Sequence, residues 1–409
     1  MDGLTRLEDA QQTVLDVTEP LGCEKVGLLD ALGRVLGEDI IAPRANPPWN
    51  NSAMDGFAVR WEDIKKEHEI TTPPVLNIIE DVPAGKVAMK AVGPREAIRI
   101  MTGAPVPNGA DTVVRVEFTE PAADSVRIMQ QEPQGANIRA KGEDVQEGEC
   151  IMAKGVPLRP AEVGMLAILA KSFIFVHHRP RVAILATGDE LADLDERFDE
   201  HKIVNSNSYG IAAAVEEAGG IPVLLGIAKD DPSSLKEKIA HGLKCDILVL
   251  SGGVSMGDYD FTKVVFAELG ADMHFWKLAI RPGQPVAFGT IQGTLAFGLP
   301  GNPVSSMMTF EQLVRLALLK MGGHRLLKRP TVQARFQESF SKQPDRRHFL
   351  RGIIERNNGE LTVRTTGKQG SGILTSMVKA NGLIDIPEEI EQIHAGDMVT
   401  VQVLSQNFQ

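Results

Sequence analysis

The sequence predicts a multidomain chain of mixed α/β and β type, and three observations carry that reading. Its 409 residues exceed what one hydrophobic core normally supports. Residues 181–321 alternate apolar β-type runs with stretches of helical spacing, the pattern of a parallel sheet covered on both faces. The segments 57–144 and 329–409 are instead short β-branched runs punctuated by Gly and Pro.

Taken in order, residues 7–17 place apolar side chains at helical spacing, and so do residues 26–36, which Gly37 would end. Pro43, Pro47 and Pro48 break that texture, and residues 49–60 read as a loop entering a strand. Runs such as 97–101 and 111–116 predict a small β domain inserted into a helical one. Helical spacing returns over 160–171, behind a proline suited to a first helical turn. The next unit predicts strands at 182–186, 223–227, 247–250 and 295–299, with helices over 206–217 and 232–243 and a long one from Pro303 through Lys320. The last segment alternates at 361–364 and 398–403, and Asn357-Asn358-Gly359 is a hairpin signal.

A net charge of -11 opposes binding to a nucleic-acid backbone, whose phosphates need a basic surface. The hydrophobic fraction of 43% and charged fraction of 24% are those of a soluble globular protein. Cys23, Cys150 and Cys245 give neither an even disulfide framework nor a CxxC metal spacing, which fits a reducing cytoplasm. The first residues lack a signal-peptide pattern and no apolar run is long enough to span a bilayer, so a cytoplasmic protein without membrane contact is expected.

The richest motif is Ser251-Gly252-Gly253-Val254-Ser255-Met256-Gly257-Asp258-Tyr259-Asp260, where a buried strand enters a turn of glycines and acids. Glycines let a backbone approach a ligand and present N–H groups to an anion, and the acids suit the divalent cation that a phosphate brings. An ordinary strand-to-helix loop with a capping acid would look similar. Two further acidic loops, Thr187-Gly188-Asp189-Glu190-Leu191 and Lys229-Asp230-Asp231-Pro232, are expected at the carboxyl ends of neighbouring strands, the edge where open α/β sheets bind ligands. Each is read equally well as a helix-start acid. Lys277 and Arg281 supply cations near the same rim, and Pro300-Gly301-Asn302-Pro303-Val304-Ser305 opens a helix whose free N–H groups offer a second anion site. No P-loop and no G-x-G-x-x-G follows a strand, which disfavours a standard NTPase or dinucleotide enzyme. His68, His201, His241 and His348 stand isolated, and His177-His178 reads as a linker.

These segments, with Asn51-Ser52-Ala53-Met54-Asp55-Gly56-Phe57-Ala58-Val59-Arg60, Met101-Thr102-Gly103-Ala104-Pro105-Val106-Pro107 and Gly142-Glu143-Asp144, resemble the molybdopterin molybdenumtransferase family, MoeA in bacteria and the E domain of gephyrin in animals. The resemblance implies a three-layer α/β molybdopterin-binding domain over 179–327. With it come a discontinuous helical domain over 1–45 and 145–178, an inserted β domain over 46–144 and a C-terminal β-barrel-like domain over 328–409. It implies a homodimer with its cleft between protomers, and insertion of molybdate-derived molybdenum into adenylylated molybdopterin with release of AMP, Mg²⁺ being the activating ion. Asp55, Asp144, Glu190, Asp260, Lys277 and Arg281 are the implied catalytic residues, with Glu190, Asp231 and Asp260 as Mg²⁺ ligands. Thr102, Gly252, Gly253, Ser255, Pro300, Gly301, Asn302, Pro303, Ser305, Arg351 and Ser371 are the implied cofactor-binding residues. The upstream adenylyltransferase and acceptor molybdoenzymes are implied partners. The related adenylyltransferase, a tungstate-selective homologue and a non-catalytic pterin carrier or scaffold are the competing functions. Asn50, Val116, Arg281 and Gln284 depart from the family pattern, and Arg281 exchanges a point charge for a planar fork.

Overall fold

The computed structural model describes residues 3–65, 72–196, 200–229, 231–253 and 261–405. By internal contacts the chain forms two compact units, one of Met1–Gly37, Gly155–Arg159 and Phe173–Gln409, the other of Glu38–Lys154 with Pro160–Ser172.

The larger unit is built on strands β1 (Arg181–Thr187), β2 (Ile221–Ala228), β3 (Ile247–Ser251), β4 (Asp272–Lys277), β5 (Pro285–Ile291) and β6 (Thr294–Leu299), in spatial order β2-β1-β3-β6-β5-β4. Between them run helices α1 (Ser206–Glu217), α2 (Pro232–Gly242) and α3 (Phe261–Glu268). Local chemistry sets their ends. The Asn205 side chain accepts from Ser208 N–H at the start of α1, and Gly219, at φ +86°, lets the chain leave that helix. Asp231 accepts from Ser233 and Ser234 N–H at the start of α2, with Pro232 in the first turn.

Alternation along each strand separates two cores. Val182, Ile184, Val249, Phe288 and Phe297 face one side with Ile211 of α1 and Leu313. Ala183, Leu185, Leu248 and Leu250 face the other with Ile239 of α2 and Phe266 of α3. This is the three-layer sandwich expected from the sequence, with one difference: β2, β1, β3 and β6 are parallel, but β5 and β4 run antiparallel to their neighbours. The reason is the connection between β5 and β6, which is only Gln292-Gly293, both at positive φ; two residues close an antiparallel hairpin and cannot make a parallel crossover. After β6 a helical run covers Pro303–Thr309, a π turn at Phe310–Val314, and Arg315–Met321. Helix Leu7–Asp16 packs on it through Leu7, Ala10 and Val14.

Residues 26–36 are a correction to the helical expectation. Cys23–Gly27 is a strand paired antiparallel with Phe173–His177, and only Leu29–Ala31 makes a single 3-10 turn. Gly33 sits at φ +75°, and Leu29 and Leu32, two of the residues that create the helical spacing, are 83% and 56% exposed. Ala31, Val35 and Leu36 are buried, so the apolar residues reach the core from an irregular backbone and not from one helical face.

The C-terminal segment closes a five-stranded barrel of β7 (Thr331–Phe336), β8 (Arg347–Asn357), β9 (Glu360–Thr365), β10 (Gly382–Ile386) and β11 (Met398–Val403), in the ring order β8-β9-β7-β11-β10. Phe336, Leu350, Ile354, Val363, Ile384 and Val401 fill it. Asn358 and Gly359, both at positive φ, turn β8 into β9. Arg347 forks onto Asp385 at 2.6 and 2.8 Å, with the carboxylate 7% exposed, and also pairs with Glu8. Asp385→Asn is expected to cost about 2–4 kcal/mol, because it leaves a half-buried guanidinium short of a charge; a denaturant midpoint like the parent's would contradict this.

The smaller unit holds a six-stranded sheet ordered Thr112–Arg115, Gly56–Val59, Glu96–Ile100, Val75–Val82, Ser125–Ile128, Thr119–Pro121. Phe57, Leu76 and Val114 pack one face, Ala58, Ile98 and Val113 the other. Its one α-helix among the described residues is Pro160–Ile168. Among the described residues no helix is long and apolar enough to cross a membrane.

Candidate functional site

Strands β1, β2, β3 and β6 are parallel, so their carboxyl ends share one rim, and the order β2-β1-β3 places a switch point between β1 and β3. Gly252 and Gly253 leave β3 there at φ +93° and +67°. A Cβ on Gly252 would lie 2.7 Å from the Thr187 carbonyl oxygen, and one on Gly253 2.7 Å from Thr187 Oγ1, so neither position admits a side chain without displacement. Thr187 is buried and its Oγ1 has no hydrogen-bond partner among the described residues, an orphan polar atom at the crevice. The Asn207 amide donates to Ser251 Oγ at 2.9 Å and to the Gly301 carbonyl at 2.8 Å, tying the end of β3 to the loop after β6.

That loop continues into a cleft of about 680 Å³ between the α/β layers and the barrel. Of the residues the sequence nominated, Arg281, Pro300, Asn302, Ser305, Arg351 and Ser371 all line it. Pro303 begins the helical run behind it, and Val304 N–H donates to the Ser371 carbonyl at 3.0 Å. Ile280–Arg281 lies parallel to the start of β8, with Arg281 in register with His348.

Electrostatics distinguish this cleft. Among the described residues its lining carries Arg281, Lys342, Arg346 and Arg351 against one carboxylate, Asp345. Arg346 is held by Asp345 at 2.9 Å and Gln284 Oε1 at 2.5 Å, and Lys342 donates only to the carbonyls of Glu388 and Gln343. Arg281 is exposed with no acceptor for its guanidinium among the described residues. Arg351 is 1% exposed and meets no carboxylate: its donors reach Ser376 Oγ at 3.1 Å and the Phe349 and Gly370 carbonyls at 3.2 and 3.5 Å. Burial pulls its guanidinium down to about 10. The Gln369 amide clamps the same residue, accepting from Arg351 N–H at 2.8 Å and donating to its carbonyl at 3.2 Å. Arg351 thus adds a buried positive charge, with no carboxylate beside it, to the wall of the cleft.

In the smaller unit, Asp55 Oδ1 accepts from both the N–H and the hydroxyl of Thr102 at 2.7 Å, and these two donors hold its carboxyl below the ordinary range. Asp144 accepts from Asn46 Nδ2 at 2.8 Å. Pairing of Asn51–Ser52 with Ile138–Arg139, and of Ser52 with the backbone at Gly103 and Ala104, draws these loops together.

Lys277, Glu190 and Asp231, nominated for the same rim, are not among the cleft lining. Lys277 ends β4, Glu190 packs behind Gly188, and Asp231 is the cap of α2. Ser255 and Asp260 lie outside the described residues. Asp231 spends Oδ1 on Ser233 and Ser234, and no group of three or more His, Cys, Asp or Glu among the described residues is placed to hold a metal. Among the described residues these acids do not complete a Mg²⁺ site. Sequence reading missed Lys342, Arg346, His348 and Gln369, which the barrel brings to the cleft from far along the chain. Their only sequence signal is a density of basic residues just before β8.

Comparison with known proteins agrees with this geometry. Residues 5–170 match the MoeA N-terminal region (domain I and II), 183–320 a probable molybdopterin binding domain, and 333–404 the MoeA C-terminal region (domain IV). The chain is 37% identical to molybdopterin molybdenumtransferase 2 of Mycobacterium tuberculosis over 97% of its length and 98% of that protein's. It is 33% identical to the molybdopterin molybdenumtransferase of Haemophilus influenzae, again over 97% and 98%. The crystal structure of a molybdopterin biosynthesis moeA protein from Pyrococcus horikoshii superposes with a TM-score of 0.84 at 34% identity, covering 98% of this chain and all of that one (100%). The three family regions together span nearly the whole chain, the relatives match it from end to end, and the chain belongs to the MoeA family.

Proposed function

We propose that the protein is a molybdopterin molybdenumtransferase, which takes adenylylated molybdopterin and molybdate, places molybdenum on the pterin dithiolene and releases AMP. The observation that carries this reading is the buried, carboxylate-free Arg351 in a cleft contiguous with the Gly252-Gly253 turn. A tetrahedral dianion fits the cleft, with Arg281 and Arg351 as its charge partners and Ser305 and Ser371 as neutral neighbours. The Gly253 N–H of the double-glycine turn and the Ser305 N–H behind Pro303 hold the pterin phosphate, the Gly252 and Val304 N–H groups being bonded already to the Leu299 and Ser371 carbonyls.

The residues divide the work by chemistry. Two anions must meet against their repulsion, and fixed cations in a partly desolvated cleft lower that barrier without reorganising. Asn207 keeps the two anion-binding loops at a fixed spacing. Asp55, held ionised by Thr102, and Asp144 belong to the small unit, and in the proposed homodimer they complete the partner's cleft. Mg²⁺ is the proposed activating ion; Asp231 is committed to capping α2, so Glu190 and Asp260 are the acids that would hold it. It would polarise the phosphoryl group.

The test is incubation of purified protein with adenylylated molybdopterin, Mg²⁺ and molybdate, following AMP release and metal retained on the pterin. Release that depends on molybdate, lost on chelation of Mg²⁺ and lowered about 100-fold in Arg281→Ala, is the expected result. Tight pterin binding with no AMP release by the parent protein would overturn the transferase reading in favour of a carrier. Thr102→Val removes one of the two donors to Asp55 and keeps the backbone one, and a loss in kcat with unchanged pterin affinity is expected; an unchanged kcat would show that the hydroxyl does not position Asp55 for the reaction.

A further inference from the structure

His348 was read from sequence as an isolated histidine, yet it stands in register with Arg281 in the wall of the cleft. It is 6% exposed, and neither ring nitrogen has a hydrogen-bond partner among the described residues. One face of the ring is fixed by an edge contact with Phe340, at 5.9 Å between centroids. A buried polar ring that lines a cavity and bonds nothing in the protein is placed for a ligand.

The charged groups facing it are Arg281 from the paired strand, and Lys342, Asp345 and Arg346 from the segment ahead of β8. Burial and the cations Lys342, Arg281 and Arg346 push its imidazole down to about 4, against the upward pull of Asp345. In the empty cleft the ring is therefore neutral at physiological pH. A dianion would reverse the balance by cancelling the cations and adding two negative charges beside the ring. Asp345 is a poor competitor for the proton: burial raises its carboxyl, but the hydrogen bond and charge of Arg346 outweigh that and hold it below the ordinary range.

We propose that His348 is an oxyanion-binding residue of the cleft that takes up a proton when the dianion binds, so that molybdate enters together with one proton. This rests on the reading of the cleft as the oxyanion site and adds a role that the other residues of the cleft do not supply. Affinity is then linked to pH. The occupied value lies above the empty one, so binding takes up a proton between the two and weakens as pH rises through that window.

The experiment is calorimetric titration of the full chain with molybdate between about pH 6 and pH 8, in buffers of differing protonation enthalpy. Expected are net proton uptake at the acid end and an affinity falling about tenfold across the range, with both absent in His348→Gln, which keeps a donor but cannot titrate. Binding without proton uptake by the parent, or equal uptake by His348→Gln, overturns the role of His348 and leaves the cleft reading standing. No binding by the parent overturns the cleft reading itself. The parent's His348 ring resonances, which must move to their protonated positions on addition of molybdate, give the same decision without a variant.

Discussion

Arg351→Met is expected to abolish oxyanion-dependent AMP release while leaving the fold at least as stable as the parent. Folding lowers this base to about 10, so folding penalises its charged form. The penalty is present in full at any pH below that value and is relieved only as pH rises through it, so at neutral pH it stands at on the order of 3 kcal/mol. The hydrogen bonds to Ser376, Phe349 and Gly370 offset part of it, but no carboxylate does. An apolar side chain of similar length removes the penalty, and such replacements of buried charge are often neutral or stabilising. Activity should fall by about 100- to 1000-fold, the usual cost of removing one preorganised oxyanion partner. Activity and denaturant midpoint measured together decide it: a variant that is unstable as well as inactive would mean that Arg351 serves the fold.

Gly252→Ala carries the second large effect, and it acts through backbone. At φ +93° an alanine is strained, and its methyl would sit 2.7 Å from the Thr187 carbonyl, which is backbone and cannot turn away. The turn must shift, with a cost of about 1–3 kcal/mol at the rim. Molybdopterin affinity should drop at least about tenfold, while molybdate binding in the neighbouring cleft changes little. Parallel titrations check this. A variant that loses molybdate and keeps pterin would reverse the assignment of the two loops.

Much of the α/β domain is legible in sequence because its signals are local. Asn205, Gly219, Pro232 and Pro303 mark helix ends where the structure puts them, and the buried runs of β1, β3 and β6 leave little choice of strand. Local signals also mislead. Leu29 and Leu32 sit at helical spacing yet face outward, because the pairing of Cys23–Gly27 with Phe173–His177 is decided some 150 residues later in the chain. The antiparallel pair β5 and β6 follows from a two-residue turn that the alternation rule passes over.

The candidate site divides along the same line. Gly252, Pro300, Asn302 and Ser305 stand in contiguous motifs and are found from them. His348, Arg346 and Gln369 join the site because the barrel returns beside Ile280–Arg281, and their neighbours Arg351 and Ser371 are reached through the family resemblance and not through a local signal. Asp231 shows the opposite case: its acidic loop suggests a metal ligand, and the structure gives it work as a helix cap.

In the proposed function Arg351 and Arg281 hold the oxyanion in the cleft beside the barrel, next to but distinct from the double-glycine turn. Tungstate soaked into crystals of the full protein, located by its anomalous scattering, tests this most directly. The account predicts one strong peak within hydrogen-bonding distance of Arg281 and Arg351, bordered by Ser305, His348 and Ser371. A peak at the Gly252-Gly253 turn with the cleft empty would contradict it.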